Sequence, residues 1–317
     1  MNRPNEKRAW PSARADDPDA TVLIRRRKSR PAWPLAAAVA VIISLGGASA
    51  WLAWRPAQVA VSQADLPRAD EAGILGAAVP RTTLVRFAPA PVIVVALFPT
   101  LHDQALTLNR IAIFLEYAAA PRDRVLNDTE LQATIATAHE SFDDFYDGHD
   151  YRAADLARFF ATADADGIVL NDAEKRLRTS LDELRASPPG IGALISLPGP
   201  GAIGMDERAR AVILRHELSH GLYFTDPAYA AMVTSFWQTV VTPTQRASIR
   251  RFLGSGGYDE ANDDLMRNEA QAYLIHTRDP RFFAPALAGL SEQEAATLRA
   301  NFVAMMPAGW LRDRTAP

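Results

Sequence analysis

The chain contains no cysteine in its 317 residues. Disulfides and thiolate ligands are therefore excluded, and any metal it binds must be held by His, Asp or Glu. Net charge is also low, at −3, and no long basic stripe occurs beyond one cluster near the N-terminus, so nucleic acid is not an expected partner. Long uncharged runs are missing with a single exception. Residues 31–54, PAWPLAAAVAVIISLGGASAWLAW, are 24 positions without a charge, enough for a helix to cross a hydrocarbon core of about 30 Å.

That run predicts one transmembrane helix, with Trp33 at one end and Trp51 and Trp54 at the other, at interfacial depth. Arg25, Arg26, Arg27, Lys28 and Arg30 precede it, whereas Arg55 and Arg68 are the only basic residues in the 25 that follow. The positive-inside rule then leaves the N-terminus in the cytoplasm and sends the remainder across, while the basic cluster faces anionic headgroups. The Ala/Arg/Pro-rich composition points to a bacterial inner membrane, crossed once, with the larger part periplasmic or extracellular. Ala48-Ser49-Ala50 is similar to a signal-peptide cleavage site, which keeps a cleaved leader as the alternative. The long basic leader and the continuation of the apolar run through Trp54 favour a retained anchor. The resulting organisation is a disordered basic cytoplasmic tail over residues 1–30, the span over 31–54, a linker over 55–81 and one domain over 82–317.

Histidine is scarce, six in all, yet two of them frame His216-Glu217-Leu218-Ser219-His220. On an α-helix, positions i and i+4 share a face, so both imidazoles can reach one divalent metal while Glu217 flanks an open coordination position as a general base. The flanks suit a buried helix. Ile213, Leu214, Leu218, Gly221 and Leu222 are uncharged, no proline interrupts 209–222, and Asp206 stands where an N-cap is needed. A catalytic zinc takes three protein ligands, and Glu269, on a second expected helix over 260–276, is the candidate third.

Asn268-Glu269 followed by Ala272 resembles the N-E-x-x-A element that supplies the glutamate ligand in gluzincins, the thermolysin-like clan of zinc peptidases. The clan's longer pattern is matched too, with aliphatic Ile213 three before the first histidine and the uncharged pair Leu218-Ser219 inside the motif. The resemblance covers residues 205–276. It implies one zinc per chain held by His216, His220 and Glu269, with Glu217 as the base that activates water against a peptide carbonyl. Two departures stand out: the gap to Glu269 is longer than in thermolysin, and Tyr273 occupies the position where thermolysin-like enzymes carry an aspartate that orients a histidine ligand. Tyr223, Tyr258, Tyr273 and His276 are the candidate transition-state donors near the motif. Gluzincins often hold substrate on an edge strand beside the site, which makes Ala193, Leu194, Ile195, Ser196 and Leu197 the candidate substrate strand by resemblance.

The rest of the chain predicts an α+β domain, mainly helical and zincin-like with a small β-sheet. Pro91 to Phe98 reads as a buried strand and Gln104 to Ala119 as a helix. Asn127 or Asp128 caps a helix to Ala138, and Asn171 with Glu174 resembles a capping box opening a helix to Ala186. Residues 224–241 supply an amphipathic helix with Met232, Phe236, Trp237 and Val240 at helical spacing, the stretch from Thr242 supplies a basic helix stopped by Gly254-Ser255-Gly256-Gly257, and Ser291 with Glu294 caps the last. Asp164-Ala165-Asp166-Gly167 lacks the calcium-loop spacing and is read as a capped turn. The acidic segment 139–151 offers Asp143, Asp144, Asp147 and His149 to a second cation, though a structural loop explains it as well. The expected partners are the membrane and a peptide or protein substrate. The alternative is a nonpeptidase accessory or peptide-binding protein that keeps its metal for structure.

Overall fold

The computed structural model describes residues 66–200 and 205–315. The expected tail and span lie outside the described residues, and no helix among the latter is long and apolar enough to cross a membrane. The fold is a mixed α+β arrangement, 58% helical, with one five-stranded sheet. Its elements run β1 (Arg68–Ala69), α1 (Glu71–Gly76), β2 (Thr83–Phe87), β3 (Ile93–Phe98), α2 (Leu101–Leu115), α3 (Asp128–Thr137), β4 (Asp150–Arg152), α4 (Ala153–Ala165) and α5 (Asp172–Ala186). They continue with β5 (Ala193–Pro198), α6 (Glu207–Thr225), α7 (Pro227–Thr239), α8 (Pro243–Ser255), α9 (Asp263–Gln271), α10 (Glu292–Met305) and α11 (Trp310–Thr315). The sheet order is β1-β2-β3-β5-β4.

The sheet separates two cores. Strands β3 and β5 pair in parallel, Ile93 opposite Ala193 through Phe98 opposite Pro198. Successive side chains alternate between faces. Ile93, Val95, Leu97, Ala193, Ile195 and Leu197 join Ile213, Leu214 and Leu218 of α6 in one core. Val94, Ala96, Phe98 and Leu194 join Leu108 and Ile111 of α2, Phe159 of α4 and Leu181 of α5 in the other. Covering a sheet on both faces is what allows apolar residues at every position of β3.

Three expectations change here. Residues 66–81, read as linker, are folded: β1 pairs in parallel with β2, Asp70 caps α1, and Ile74 is fully buried. Glu71 also pairs with Arg215 of α6 at 2.7 Å, so the domain takes in β1 from Arg68 onward. Second, Ala193–Leu197 is not an edge. It lies between β3 and β4, and β4 already pairs with Ala193, Leu194 and Ile195, so that backbone has no free row for a substrate. The edge strand on this side of the sheet is β4. Third, the helix expected over 260–276 begins at Asp263 and gives way to a π-helical turn, Ala272–His276. The capping boxes at Asn127, Asn171 and Ser291 form as their spacing dictates. The 164–167 turn is closed by Gly167 N donating to Asp164 O at 3.2 Å, and the Asp166 carboxylate ties it to a distant segment by accepting from the Val125 backbone at 2.7 Å.

Candidate metal centre

Helix α6 carries the motif because its start and stop are both specified. Asp206 accepts from Ala209 N at 2.6 Å, satisfying an orphan donor of the first turn. At the other end Asp226 serves as N-cap of α7, with Pro227 at its first position, which stops α6 at Thr225. Ile213, Leu214 and Leu218 press onto the sheet, each contributing about 1.5–3 kcal/mol by burial. Gly221 lets the helix come close: a Cβ there would stand 3.0 Å from Ile93 Cγ2.

The helix is thereby fixed with its polar positions facing α9 and β4. His216, Glu217, His220 and Glu269 are each no more than 2% exposed. His216 Nε2 lies 3.8 Å from Glu269 Oε2, and His220 Nε2 lies 3.8 Å from Glu269 Oε1. Those separations are too long for hydrogen bonds. Donors bound to one zinc at roughly 2.0–2.2 Å in a tetrahedral arrangement stand about 3.4 Å apart, so a small inward shift of these side chains completes the set. His220 Nε2, Glu269 Oε2 and Glu217 Oε2 are buried with no hydrogen-bond partner. Leaving such groups unanswered costs about 1–3 kcal/mol each, and a divalent cation answers His220 Nε2 and Glu269 Oε2, while Glu217 Oε2 is left facing the open coordination position. Two neutral imidazoles and one carboxylate are a donor set that zinc accepts.

The arrangement around His216 fixes its tautomer. Thr277 Oγ1 donates its hydrogen to Ala272 O at 3.0 Å and lies 2.8 Å from His216 Nδ1. Its hydrogen being committed, the hydroxyl can accept only, so Nδ1 carries the imidazole hydrogen and Nε2 keeps its lone pair toward Glu269. Thr277 thus does for His216 what Tyr273 at its position cannot. The Tyr273 ring instead packs edge-on against His216, centroids 4.8 Å apart. The His220 ring lies nearly parallel to Phe224, which carries the Arg152 guanidinium on its ring at 4.6 Å. Gln271 donates to Ser219 Oγ at 3.0 Å, tying α9 to α6 beside the ligands.

Burial pushes the His216 imidazole well below its usual range, and the neighbouring His220 adds to this, so His216 is a neutral donor. Burial likewise pushes the Glu217 carboxyl well up, with Asp150, Glu269 and Glu116 reinforcing it. Glu269 is pushed well up by burial and by Asp150 and Glu116, and the Tyr258 hydroxyl opposes that by hydrogen bonding to its carboxylate. A divalent ion between these groups inverts the balance and favours the carboxylates.

Four of the expected site residues therefore meet, and Tyr258 and Tyr273 stand beside them with hydroxyls 3.5 Å apart. Two others do not. Tyr223 donates to Asp264 Oδ1 at 2.6 Å, which commits its hydroxyl to the ion pair of Asp264 with Arg152. His276 lies 3.2 Å from the Tyr229 hydroxyl and 3.4 Å from Thr315 Oγ1. The wider π turn breaks the two-turn spacing that would have placed it on the Glu269 face. Sequence reasoning missed Asp150, whose Oδ2 lies 3.7 Å from His220 Nε2 and which groups with Glu217 and His220 within 4.8 Å. It also missed Thr277 and Gly148. The segment 139–151 is folded in part onto the site: Phe145, Tyr146, Asp147 and His149 are buried, and a Cβ on Gly148 would meet Glu217 Oε1 at 2.2 Å. An Asp-rich segment holding one glycine was the available signal, and no spacing rule connected it to the motif. No family model, curated protein or solved structure matches this chain.

Proposed function

We propose that this protein is a zinc-dependent hydrolase of peptide bonds, built on a zincin-like domain of the gluzincin type. The observation that carries the reading is the convergence of His216, His220 and Glu269 with the buried carboxylate of Glu217 beside them. A structural zinc has no use for such a carboxylate, whereas a hydrolase requires one. Zinc held there supplies Lewis acidity, which acidifies water and polarises a carbonyl. Glu217, buried beside the ligands and outside the ligand set, would take a proton from that water and return it to the leaving amine. Thr277 and Tyr258 hold His216 and Glu269 in place through hydrogen bonds. Tyr273, packed on His216, remains the candidate donor to the developing oxyanion. The uncharged run at 31–54 and the basic cluster before it support anchorage in a bacterial inner membrane with this domain outside the cytoplasm.

One observation favours a second reading, an accessory or peptide-binding protein with a retained metal. The four central side chains are buried, and the Gly148 backbone lies over Glu217. Hydrolysis requires that this cover yield to substrate. The test is zinc analysis of the purified full chain together with cleavage of a mixed peptide library. One zinc per chain and cleavage are expected; Glu217→Gln should keep the metal and lose turnover, and Glu269→Ala should lose most of the metal. Stoichiometric zinc with equal cleavage by Glu217→Gln would refute the assignment, and zinc without cleavage by the parent would favour the accessory reading.

A further inference from the structure

One face of α6, carrying Arg208 and Arg215 two turns apart, opens onto a cavity of about 260 Å³ whose other walls come from the end of the π turn and from α11. None of the residues grouped at the metal centre lines it. At about 30 Å³ per water it has room for roughly nine waters, enough for a small polar molecule and not for a folded partner. Its wall is strongly basic. Arg208, Arg215, Arg278 and Arg314 stand there with a single carboxylate, that of Asp279.

The carboxylates within reach leave two of these guanidiniums unanswered. Asp279 is already shared, with Arg208 Nε at 2.8 Å and Arg281 Nη2 at 2.9 Å from the same oxygen. Glu71 pairs with Arg215 at 2.7 Å and is 4.0 Å from Arg314 Nε, too far for a hydrogen bond. Arg278 donates from Nε to Ile275 O at 3.3 Å and forms no ion pair among the described residues. Its charge is also felt by Arg299, a guanidinium held below its usual range first by burial and then by Arg278. Arg299 is spent on Leu274 O at 2.8 Å and brings no counter-charge. Like charges gathered in this way repel, and an anion placed among them removes the cost.

We propose that this cavity binds a phosphate monoester, with Arg278 and Arg314 as the guanidiniums that hold its dianionic group. At neutral pH such a group carries about two negative charges and three acceptor oxygens, and each planar guanidinium can meet two of those oxygens at once. Two unanswered guanidiniums match that charge, whereas a carboxylate would answer one. Val212, Ile275 and Leu311 give the wall an apolar part that accepts a short carbon stem. The site stands apart from the reading of the metal centre as a peptidase, and neither depends on the other.

The experiment is a calorimetric titration of the full chain with glycerol 3-phosphate, and with acetate at matched ionic strength. Saturable binding of the phosphate, at least tenfold tighter than acetate, is expected. Arg278→Gln and Arg314→Gln change exposed side chains, so both variants should keep the fold and melt as the parent does. Each should weaken the phosphate about tenfold or more, the loss of one charge-assisted contact. Absence of saturable binding overturns the site, as does equal affinity for acetate. Binding that survives both substitutions belongs elsewhere, a bound metal included, and overturns it too. Repeating the titration with the chain in phosphatidylcholine bilayers that also hold phosphatidylglycerol or phosphatidic acid separates two sources of the same group. Affinity equal in the two bilayers assigns the site to a free ester; a loss specific to phosphatidic acid, and absent in Arg278→Gln, assigns it to a lipid headgroup.

Discussion

Gly148→Ala is the sharpest test of how the segment 139–151 meets the base. The added Cβ would lie 2.2 Å from Glu217 Oε1, 2.8 Å from Cδ and 3.0 Å from Ile213 Cγ2. Ordinary carbon to oxygen contact needs about 3.5 Å, so something must move by about 1 Å. The atoms met first are the end of a flexible side chain, and the carboxylate yields more readily than the backbone of β4 or α6. Overpacking then costs about 1–3 kcal/mol, with the lower end expected here. A catalytic group displaced by about 1 Å costs about 10²-fold in rate, equivalent to about 2.7 kcal/mol of transition-state stabilisation. The prediction is a fall in kcat/KM of about two orders of magnitude, with zinc content unchanged and thermal stability nearly so. Steady-state kinetics on one cleaved peptide, zinc analysis and a melting curve measure the three quantities. Full activity with unchanged stability would refute the placement of Gly148 over Glu217 in the working enzyme.

Further outcomes follow from the surrounding hydrogen bonds. Thr277→Val keeps the shape beside His216 and removes the acceptor for Nδ1–H, so zinc affinity should fall about 10–100-fold in a competition with a chelator; unchanged affinity would mean that Thr277 does not orient the ligand. Tyr258→Phe removes the hydroxyl from the Glu269 carboxylate and should likewise weaken zinc binding, about tenfold or more; a loss of kcat at constant affinity would make Tyr258 a transition-state donor instead. Burial pushes the His149 and His276 imidazoles down to about 3. The unfolded chain takes up protons on these groups below about pH 6.5 while the folded chain does not, so stability is full above that pH and declines as pH falls toward 3. At pH 5 the loss is about 2 kcal/mol per histidine. His149→Gln should remove about that much of the decrease between pH 7 and pH 5, read from urea midpoints; an identical decrease in the variant would show that His149 is already protonated when folded.

Much of the domain was legible because its signals are local. Apolar β3, the capping boxes at Asn127, Asn171 and Ser291, and the Asp206 cap are each set by a few neighbouring residues, and their side chains form the expected bonds. The start of the domain was missed because two strand residues and a six-residue helix are too short to show a period. The candidate substrate strand was misplaced for another reason. An apolar run identifies Ala193–Pro198 as buried, but buried is what an interior strand is, and the order β3-β5-β4 depends on contacts across more than forty residues of chain.

By itself the sequence determined that His216 and His220 share a helix face with Glu217 beside them, because 3.6 residues per turn is a local property that every capped, proline-free helix obeys. It also placed Glu269 on a second helix. Only the tertiary structure decided what encloses those groups. Packing α6 onto β3 and β5 brings Asp150 of β4 to His220 and lays Gly148 over Glu217. One π-helical turn delivers Thr277 to His216 and sends His276 to Tyr229. Neither result follows from a period along the chain: the first is set by strand order, and the second by an irregularity that shifts every later side chain around the helix.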